Sequence, residues 1–311
     1  MLGKLVKDIY TLGDLQNWGR IQEKTSPPIR LGVMGEPIEH SLSPKIQNAA
    51  LKHSRIDMQY GRFQISSEEL GETLKLIREL NFVGANITVP HKIAAVASID
   101  QLDHETKRIG AVNVVKNGKG KLLGFNTDGG GFSRAIREQF SVDLRDLRVL
   151  LLGAGGGGRA IAVQCAKENC ERLVIANRTF EKAKKLAEDL RDFFAGPRVL
   201  GPVARLQAID WEENAFRFQI ANVDLIVNVT PIGLNRSDAS PIPSRLLAPH
   251  LMVFDTNYTE QRTPFVSAAV EAGARAANGL SMLLHQGALA FELWFDREAP
   301  TEVMRAALRQ G

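Results

Sequence analysis

The chain lacks several features that secreted and membrane proteins have. It contains two cysteines, Cys165 and Cys170, which are too few for a disulfide framework and fit a reducing compartment. No apolar run approaches the ~20 residues that a bilayer-spanning helix needs. The first residues also lack the continuous apolar core of a signal peptide. We therefore expect a cytoplasmic protein with no membrane partner.

Aromatic residues and clusters of charge are also scarce. Aromatics make up 6% of the residues, and the net charge of +4 comes from lysines and arginines scattered along the chain. A nucleic-acid-binding surface gathers basic residues on one face, commonly interleaved with aromatics. The six histidines are scattered as well, and none is spaced with a cysteine as in a zinc site. We predict no nucleic-acid partner and no metal.

Apolar strands and helix-like segments alternate from residue 30 onward. Runs such as "IRLGVMG", "RVLLL" and "LVIA" have the continuous apolar character of strands that are buried on both faces. This alternation predicts an α/β fold, and 311 residues are enough for two domains. Residues 1–29 precede the pattern as an N-terminal extension. The sequence does not distinguish whether they form an extra helix, an oligomer contact or a disordered arm.

A glycine-rich loop follows one of these strands directly. "GAGGGGRA" contains the pattern G-x-G-x-x-G and opens a helix, the arrangement in which a backbone approaches a pyrophosphate at a positive helix N-terminus. The sequence therefore predicts a Rossmann-type dinucleotide site. Its expected backbone contacts are Gly153, Ala154, Gly155, Gly156, Gly157 and Gly158.

The next strand ends in "ANRT" and indicates which dinucleotide binds. An NAD site usually has an acid here to bind the ribose hydroxyls, but this chain has Asn177, followed by Arg178 and Thr179, with Lys182 one helical turn beyond. A guanidinium can bind a 2′-phosphate, which a carboxylate would repel. The predicted cofactor is NADP.

Polar residues stand at the ends of elements in the first half of the chain. They are hydrogen-bonding and acid–base groups without metal-ligand spacing, which suit a small, neutral-to-anionic, polyhydroxylated substrate: Ser41, Ser43, Asn86, Thr88, Lys92, Asn113 and Asp128. Ser43 precedes Pro44, so it also has a plain structural interpretation as the N-cap of a helix.

Nine motifs follow one another in a characteristic order. They are "SLSPKIQN", "NITVPHK", "AVN", "GFNTDGGG", "GAGGGGRA", "NRT", "NVTPIG", "DTNY" and "NGLSMLLHQGALAFELW". From about residue 31 to its end the chain resembles the shikimate dehydrogenase family. The resemblance implies an oxidoreductase acting on a CH–OH group, which reduces 3-dehydroshikimate to shikimate with NADPH in chorismate and aromatic amino acid biosynthesis.

The resemblance also implies a domain plan. An α/β substrate domain with a mixed, mainly parallel sheet is expected over 30–128, and a Rossmann-type NADP domain over 129–278. The last helices, 279–311, are expected to return to the first domain. A small-molecule substrate is the expected partner, and a homodimer is left open.

The roles of individual residues follow from the matched motifs. Lys92 and Asp128 are implied as the catalytic pair. Residues implied to hold the substrate are Ser41, Ser43 and Tyr258 at its carboxylate, Thr88 beside them, and Asn86, Asn113 and Gln286 at ring hydroxyls. Those implied around NADP are Asn177, Arg178, Thr179 and Lys182 at the 2′-phosphate, and Thr230, Thr256 and Gly279 toward the nicotinamide.

Three alternatives stay open at this stage. One is an enzyme that uses quinate, or both quinate and shikimate, since two serines at the carboxylate do not exclude the additional ring hydroxyl. Another takes an amino-sugar-like shikimate analogue. The third is a non-catalytic NADP-binding sensor on the same fold, which would have no need to retain both Lys92 and Asp128.

Overall fold

The apolar runs of the sequence become strands of two separate sheets. A computed structural model describes residues 7–195, 204–235, 237–259 and 261–309. Its strands are β1 (Ile29–Gly35), β2 (Gln59–Gln64), β3 (Gly84–Ile87), β4 (Gln101–Leu102), β5 (Val114–Gly118), β6 (Lys121–Phe125), β7 (Arg148–Leu152), β8 (Arg172–Ala176), β9 (Leu206–Ile209), β10 (Leu225–Asn228), β11 (Met252–Asp255) and β12 (Arg275–Asn278).

Helices connect most of these strands. They are α1 (Leu12–Gln16), α2 (Trp18–Gln22), α3 (Ser43–His53), α4 (Leu70–Glu79), α5 (His104–Ile109), α6 (Asp128–Phe140), α7 (Gly156–Lys167), α8 (Phe180–Asp189), α9 (Glu213–Ile220), α10 (Pro264–Glu271), α11 (Leu280–Phe295) and α12 (Thr301–Arg309). The chain forms two compact units. One comprises the chain up to Asp128 together with the chain from Leu283, and the other comprises Gly129–Met282.

The first unit contains a mixed sheet in the order β2-β1-β3-β5-β6-β4. β1 pairs in parallel with β2 and β3, and β4 pairs in parallel with β6, whereas β5 pairs antiparallel with β3 and β6. β5 and β6 form a hairpin, in which Gly118 pairs with Lys121 next to the turn. The mixed, mainly parallel sheet expected for this region is confirmed.

The N-terminal segment belongs to the core of the first unit. Tyr10 and Trp18 are buried and pack in an aromatic cluster with Phe63 of β2 and Phe82. Tyr10 also continues the sheet at the outer edge of β2. Its amide donates to the carbonyl of Arg62 at 2.9 Å, and its carbonyl accepts from the amide of Gln64 at 2.8 Å. Three options were left open for residues 1–29. From residue 7 onward, this segment contains the helices α1 and α2 and packs into the core of the first unit.

The second unit contains an all-parallel sheet in the order β12-β11-β10-β7-β8-β9. Counted from β7, this is the strand order 3-2-1-4-5-6 of the dinucleotide-binding fold. The inner strands β7, β8, β10 and β11 are buried almost throughout, as their continuous apolar sequences predict. The order of strands reverses between β7 and β10, where ligands of this fold bind at the carboxyl ends of the strands.

Candidate active site

A lysine and an aspartate form a close ion pair in the first unit. Lys92 lies in the loop after β3, where its carbonyl accepts a 2.7 Å hydrogen bond from the amide of Val112. Its Nζ lies 2.6 Å from Oδ2 of Asp128, the first residue of α6. The Asp128 side chain is 5% exposed and that of Lys92 is 16% exposed. The carboxylate is thus enclosed, while solvent still reaches the lysine, as a group that exchanges a proton with a ligand requires.

The carboxamide of Asn113 fixes the other oxygen of this aspartate. Nδ2 donates to Oδ1 of Asp128 at 3.0 Å, to the hydroxyl of Thr127 at 2.9 Å, and to Oε1 of Gln286 at 3.3 Å. Oδ1 of Asn113 accepts from the amide of Thr127 at 2.8 Å. Two N–H groups serve three acceptors, so the longest contact, to Gln286, is the one most easily exchanged for a ligand hydroxyl.

Asn86 joins the same network from β3. Its Nδ2 donates to the backbone carbonyl of Asn113 at 3.0 Å, and its Oδ1 accepts from the hydroxyl of Tyr60 at 2.6 Å. Five of the residues predicted from the sequence are therefore linked through one another: Asn86, Lys92, Asn113, Asp128 and Gln286. We call this set, with Tyr60 and Thr127, the polar network.

Tyr60 and Thr127 are members of the polar network that sequence reasoning missed. Thr127 carried a signal, since it directly precedes Asp128 in "GFNTD". Tyr60 carried none, because the partner of a strand side chain depends on which strands are neighbours. In this sheet β1 lies between β2 and β3, and the Tyr60 hydroxyl reaches Asn86 on β3.

The predicted carboxylate ligands Ser41, Ser43 and Thr88 lie around the start of α3 and the end of β3. The prediction that Ser43 is the N-cap is wrong: the helix begins at Ser43, and the preceding Leu42 makes no side-chain cap. The hydroxyl of Ser41 instead accepts from the amide of Ser43 at 3.4 Å. Among the described residues, no hydrogen bond links these three side chains to the polar network. Their hydroxyls are not committed to it.

The glycine loop of the second unit leads into α7 and leaves no room for a side chain at Gly158. Gly153 has φ +117°, a left-handed backbone conformation that favours glycine. A Cβ at Gly158 would overlap the carbonyl oxygen of Gly153, so the helix can start this close to the loop only with glycine there. At Gly155, by contrast, a Cβ would meet open space. The loop has the shape of a backbone cradle, with the amides of the first helical turn facing an open position.

Basic residues line the position after β8. Asn177 bridges the loops: its Oδ1 accepts from the amide of Ala154 at 3.1 Å, and its Nδ2 donates to the carbonyl of Thr179 at 2.9 Å. Arg178 and Lys182 are exposed, and neither forms an ion pair with a carboxylate in the parts of the chain that the structure describes. Two cations without a protein partner beside a glycine loop fit a phosphate group.

Thr230, Thr256 and Gly279 are brought together by two buried asparagines. Asn228 Oδ1 accepts from the amide and hydroxyl of Thr230 at 3.1 and 2.7 Å, and its carbonyl accepts from the amide of Thr256 at 2.9 Å. Asn257 donates to the carbonyl of Thr230 at 2.9 Å and accepts from the amide of Gly279 at 3.1 Å. A Cβ at Gly279 would overlap the carbonyl of Thr256.

Tyr258, predicted to help at the substrate carboxylate, lies in the second unit. It is half-buried and follows Asn257 after β11.

Among the described residues, no group of three or more histidine, cysteine, aspartate and glutamate side chains is placed to hold a metal ion. Within the same ranges, no helix is both long enough and apolar enough to cross a membrane.

A Rossmann-type unit with an open glycine cradle, and an α/β unit with a partly buried lysine paired to a buried aspartate, define the class of two-domain NAD(P)-linked oxidoreductases. Family models match three stretches: the shikimate dehydrogenase substrate binding domain over residues 33–115, shikimate / quinate 5-dehydrogenase over 134–198, and the shikimate 5′-dehydrogenase C-terminal domain over 279–309. A shikimate dehydrogenase (NADP+) from Methanopyrus kandleri is 40% identical over 280 residues, which is 89% of this chain and 94% of that protein. The chain belongs to the shikimate dehydrogenase family.

Solved structures show the same two-domain α/β fold. The shikimate 5-dehydrogenase of Thermus thermophilus, crystallised in complex with NADP(H) and shikimate, is 35% identical, with a TM-score of 0.79 and coverage of 91% of this chain and 99% of that one. The quinate dehydrogenase of Corynebacterium glutamicum in complex with NAD is 26% identical, with a TM-score of 0.78 and coverage of 91% and 99%.

Proposed function

We propose that this chain catalyses the reversible, NADPH-dependent reduction of 3-dehydroshikimate to shikimate in the pathway to chorismate and the aromatic amino acids. The observation that carries the proposal is the 2.6 Å contact between Lys92 Nζ and Asp128 Oδ2 within the polar network. An ammonium group held among amides and hydroxyls suits a polyhydroxylated ring with a reactive carbonyl. Membership of the family supports the same substrate and cofactor.

The second unit fits NADP by its own residues. The amides of Gly156, Gly157 and Gly158 open α7, so none has an acceptor within the helix, and they would hold the pyrophosphate. Arg178 and Lys182 would hold the 2′-phosphate, with Asn177 in place of the acid that NAD enzymes use. When bound, NADPH supplies the hydride that the carbonyl carbon of the substrate accepts.

The residues of the first unit handle the proton. As the carbonyl carbon gains hydride, its oxygen gains negative charge, and Lys92 Nζ stabilises this charge and donates a proton to form the hydroxyl. In the reverse direction Lys92 accepts that proton. Asp128 keeps Nζ in position through Oδ2, and Asn113 keeps the carboxylate from turning through Oδ1.

The remaining predicted residues would hold the substrate. Asn86, Asn113 and Gln286 present amide groups to ring hydroxyls. The carboxylate would be bound by the hydroxyls of Ser41 and Ser43, with Thr88 beside them and Tyr258 as a further ligand. Thr230, Thr256 and Gly279 would border the nicotinamide. We also propose that the first unit is the substrate-binding and catalytic domain, that the protein is cytoplasmic, and that it forms a homodimer.

The test is steady-state oxidation of shikimate and of quinate, each with NADP+ and with NAD+. For the wild type we expect the highest kcat/KM with shikimate and NADP+. Lys92→Ala removes the acid–base group and should lower kcat by about 100- to 10,000-fold. The KM for NADP+ should stay within about threefold of wild type, since Lys92 is not part of the glycine cradle.

Lys116→Ala is the matched control for this substitution. Lys116 lies in the same unit and pairs with Asp296 at 3.0 Å, but it is not part of the polar network. Its loss should leave kcat within about twofold of wild type, because an exposed ion pair contributes little. A Lys92→Ala enzyme that keeps more than a tenth of the wild-type kcat contradicts the assigned role. Preferred turnover of quinate, or no turnover of either compound, contradicts the proposed substrate.

A further inference from the structure

The start of α3 has a basic partner that does not belong to its own segment. Arg62 of β2 donates from Nε and Nη2 to the carbonyl oxygen of Ser41, at 3.2 and 2.9 Å. The segment "SLSP" itself contains no cation. The guanidinium therefore contacts the backbone of Ser41, one of the two serines whose hydroxyls are proposed to bind the substrate carboxylate.

The position of Arg62 follows from the alternation of the strand. Side chains two residues apart in a strand project from the same face, so Arg62 shares its face with Tyr60. The Tyr60 hydroxyl reaches Asn86 in the polar network. One face of β2 thus supplies two side chains to the proposed substrate site, Tyr60 beside the ring-hydroxyl ligands and Arg62 beside Ser41.

The charge of Arg62 has no counter-ion in the part of the chain that the structure describes. Among the residues that the structure describes, no carboxylate lies within ion-pair distance of its guanidinium. Glu39 is the acid nearest in sequence to Ser41, and its carboxylate accepts a hydrogen bond from the amide of Ile38 at 3.1 Å. Arg62 uses two of its five N–H groups on Ser41, and the others have no acceptor in the described ranges. A half-buried arginine in this state favours an anionic ligand.

We infer that Arg62 is a positioning residue that draws the substrate carboxylate to the hydroxyls of Ser41 and Ser43 and holds the loop that carries them. This inference rests on the proposed function, because it requires a substrate with a carboxylate. Neutral hydroxyls orient a carboxylate but attract it weakly from solution, whereas a cation several ångströms away acts before contact is made. Arg62 therefore acts on capture of the substrate and not on hydride or proton transfer.

The experiment compares shikimate with methyl shikimate, whose ester carries no charge, using NADP+ as the oxidant. Arg62→Gln should raise the KM for shikimate by about tenfold and change kcat by less than about threefold. The KM for the methyl ester, or its Ki where it inhibits without turnover, should change by less than about twofold. Arg62→Lys keeps the charge. On a logarithmic scale, its KM for shikimate should therefore lie closer to the wild-type value than to that of Arg62→Gln.

Arg30→Gln is the matched control. Arg30 lies on the neighbouring strand β1 and also donates to backbone carbonyls, those of Leu80 at 2.9 Å and Asn81 at 3.2 Å, away from Ser41. The variant removes the same charge and the same kind of contact, and its KM for shikimate should match wild type. Thermal unfolding of each variant checks that it is folded at the assay temperature.

The salt dependence of the wild-type KM tests the inference without any variant. Raising the salt from about 50 to about 500 mM should raise the wild-type KM for shikimate, but not for the methyl ester, because added ions screen the attraction. Equal losses for acid and ester in Arg62→Gln would overturn the inference, since Arg62 would then only hold the loop. So would an Arg62→Gln enzyme that matches Arg30→Gln. A wild type that does not oxidise shikimate at all overturns the proposed function together with the inference.

Discussion

Asp255 is a fully buried carboxylate in the second unit. It ends β11 and accepts hydrogen bonds from Asn228 Nδ2 at 2.9 Å, the amide of Asn257 at 3.2 Å and the hydroxyl of Thr263 at 2.7 Å. In the described parts of the chain it forms no ion pair. Burial outweighs these three donors and raises the pKa of Asp255 from 3.8 to about 6. Asn228 and Asn257 in turn hold Thr230, so Asp255 supports the loops proposed to border the nicotinamide.

The raised pKa predicts how the stability of the second unit depends on pH. The folded state holds the proton of Asp255 more tightly than the unfolded state, so its contribution to the free energy of unfolding is greatest below about pH 4 and is lost as the pH rises through about 6. The loss amounts to about 3 kcal/mol. Asp255→Asn removes the titration but keeps the acceptor for Asn228 and Asn257. The free energy of unfolding of the variant, relative to wild type, should therefore increase by about 3 kcal/mol between about pH 4 and about pH 7.5.

Urea unfolding at a series of pH values measures this difference. Asp210→Asn is the control, since it makes the same substitution at an exposed aspartate. A difference for Asp255→Asn that changes with pH no more than the difference for this control would show that the Asp255 carboxylate is not protonated near pH 6 in the folded protein.

Individual residues of the candidate site were predictable from the sequence where they lie just outside a strand and carry a distinctive group. Lys92, Asn113 and Asp128 were found in this way, and the structure brings them into contact. Arg62 and Tyr60 were not found, because they lie inside a strand and their partners depend on which strand lies alongside. Asp255 also ends a strand, yet nothing in "FDTNY" distinguishes a buried carboxylate from a ligand-binding one.

At the scale of an element, the start of α7 depends on glycine for two different reasons. Gly158 lies against the carbonyl of Gly153, so a methyl group there must displace the backbone. Gly155 faces open space, so a methyl group there disturbs nothing in the protein itself. The first position concerns the fold, and the second concerns whatever occupies the cradle.

Two substitutions separate these roles. Gly158→Ala should lower the free energy of unfolding by about 1–3 kcal/mol through overpacking, and it should also raise the KM for NADP+. Gly155→Ala should leave the thermal unfolding temperature unchanged and still raise the KM for NADP+ about tenfold or more, because the methyl group takes space proposed for the pyrophosphate.

Gly71→Ala in α4 serves as the control for both, since a Cβ there also meets open space. It should leave the KM for NADP+ unchanged. It should raise the unfolding temperature only slightly, as expected for alanine in a helix. If Gly155→Ala behaves like this control, the pyrophosphate does not lie against the loop.

Elements were predictable where the apolar pattern is long and continuous. β1, β7 and β8 were predicted for this reason, and the glycine pattern located α7. β9 and β12 were not predicted, because they are four-residue edge strands whose side chains, except Ile209, are half-buried or exposed. The sequence of β12, "RAAN", has no β-branched or aromatic residue, and only its pairing with β11 makes it a strand.

At the scale of the whole molecule, the N-terminal segment stabilises the first unit. Trp18 is 3% exposed, and its ring lies 5.3–5.8 Å from the rings of Tyr10, Phe63 and Phe82. Trp18→Ala should lower the free energy of unfolding by about 3–5 kcal/mol, because it leaves a cavity in this cluster. Enzyme that is still folded should keep its kcat, since Trp18 does not contact the polar network.

Circular dichroism during urea unfolding measures the loss, and Trp18→Phe provides the comparison. Phenylalanine fills much of the same volume and should cost less than about half as much as alanine. If Trp18→Ala lowers the free energy of unfolding by less than about 1 kcal/mol, the N-terminal segment contributes little to the stability of the first unit.

The bridge at Tyr10 has a consequence for how the protein is made and processed. The peptide groups of Arg62 and Gln64 are occupied by Tyr10, so β2 does not present a free edge along this stretch. A product that began at an internal start codon beyond the bridge, or a chain clipped there by a protease, would keep every motif of the proposed active site. It would also carry an uncovered strand next to an exposed aromatic surface, which is a template for pairing with other chains. Loss of the segment would therefore be seen first as inclusion bodies, and not as a change in substrate or cofactor.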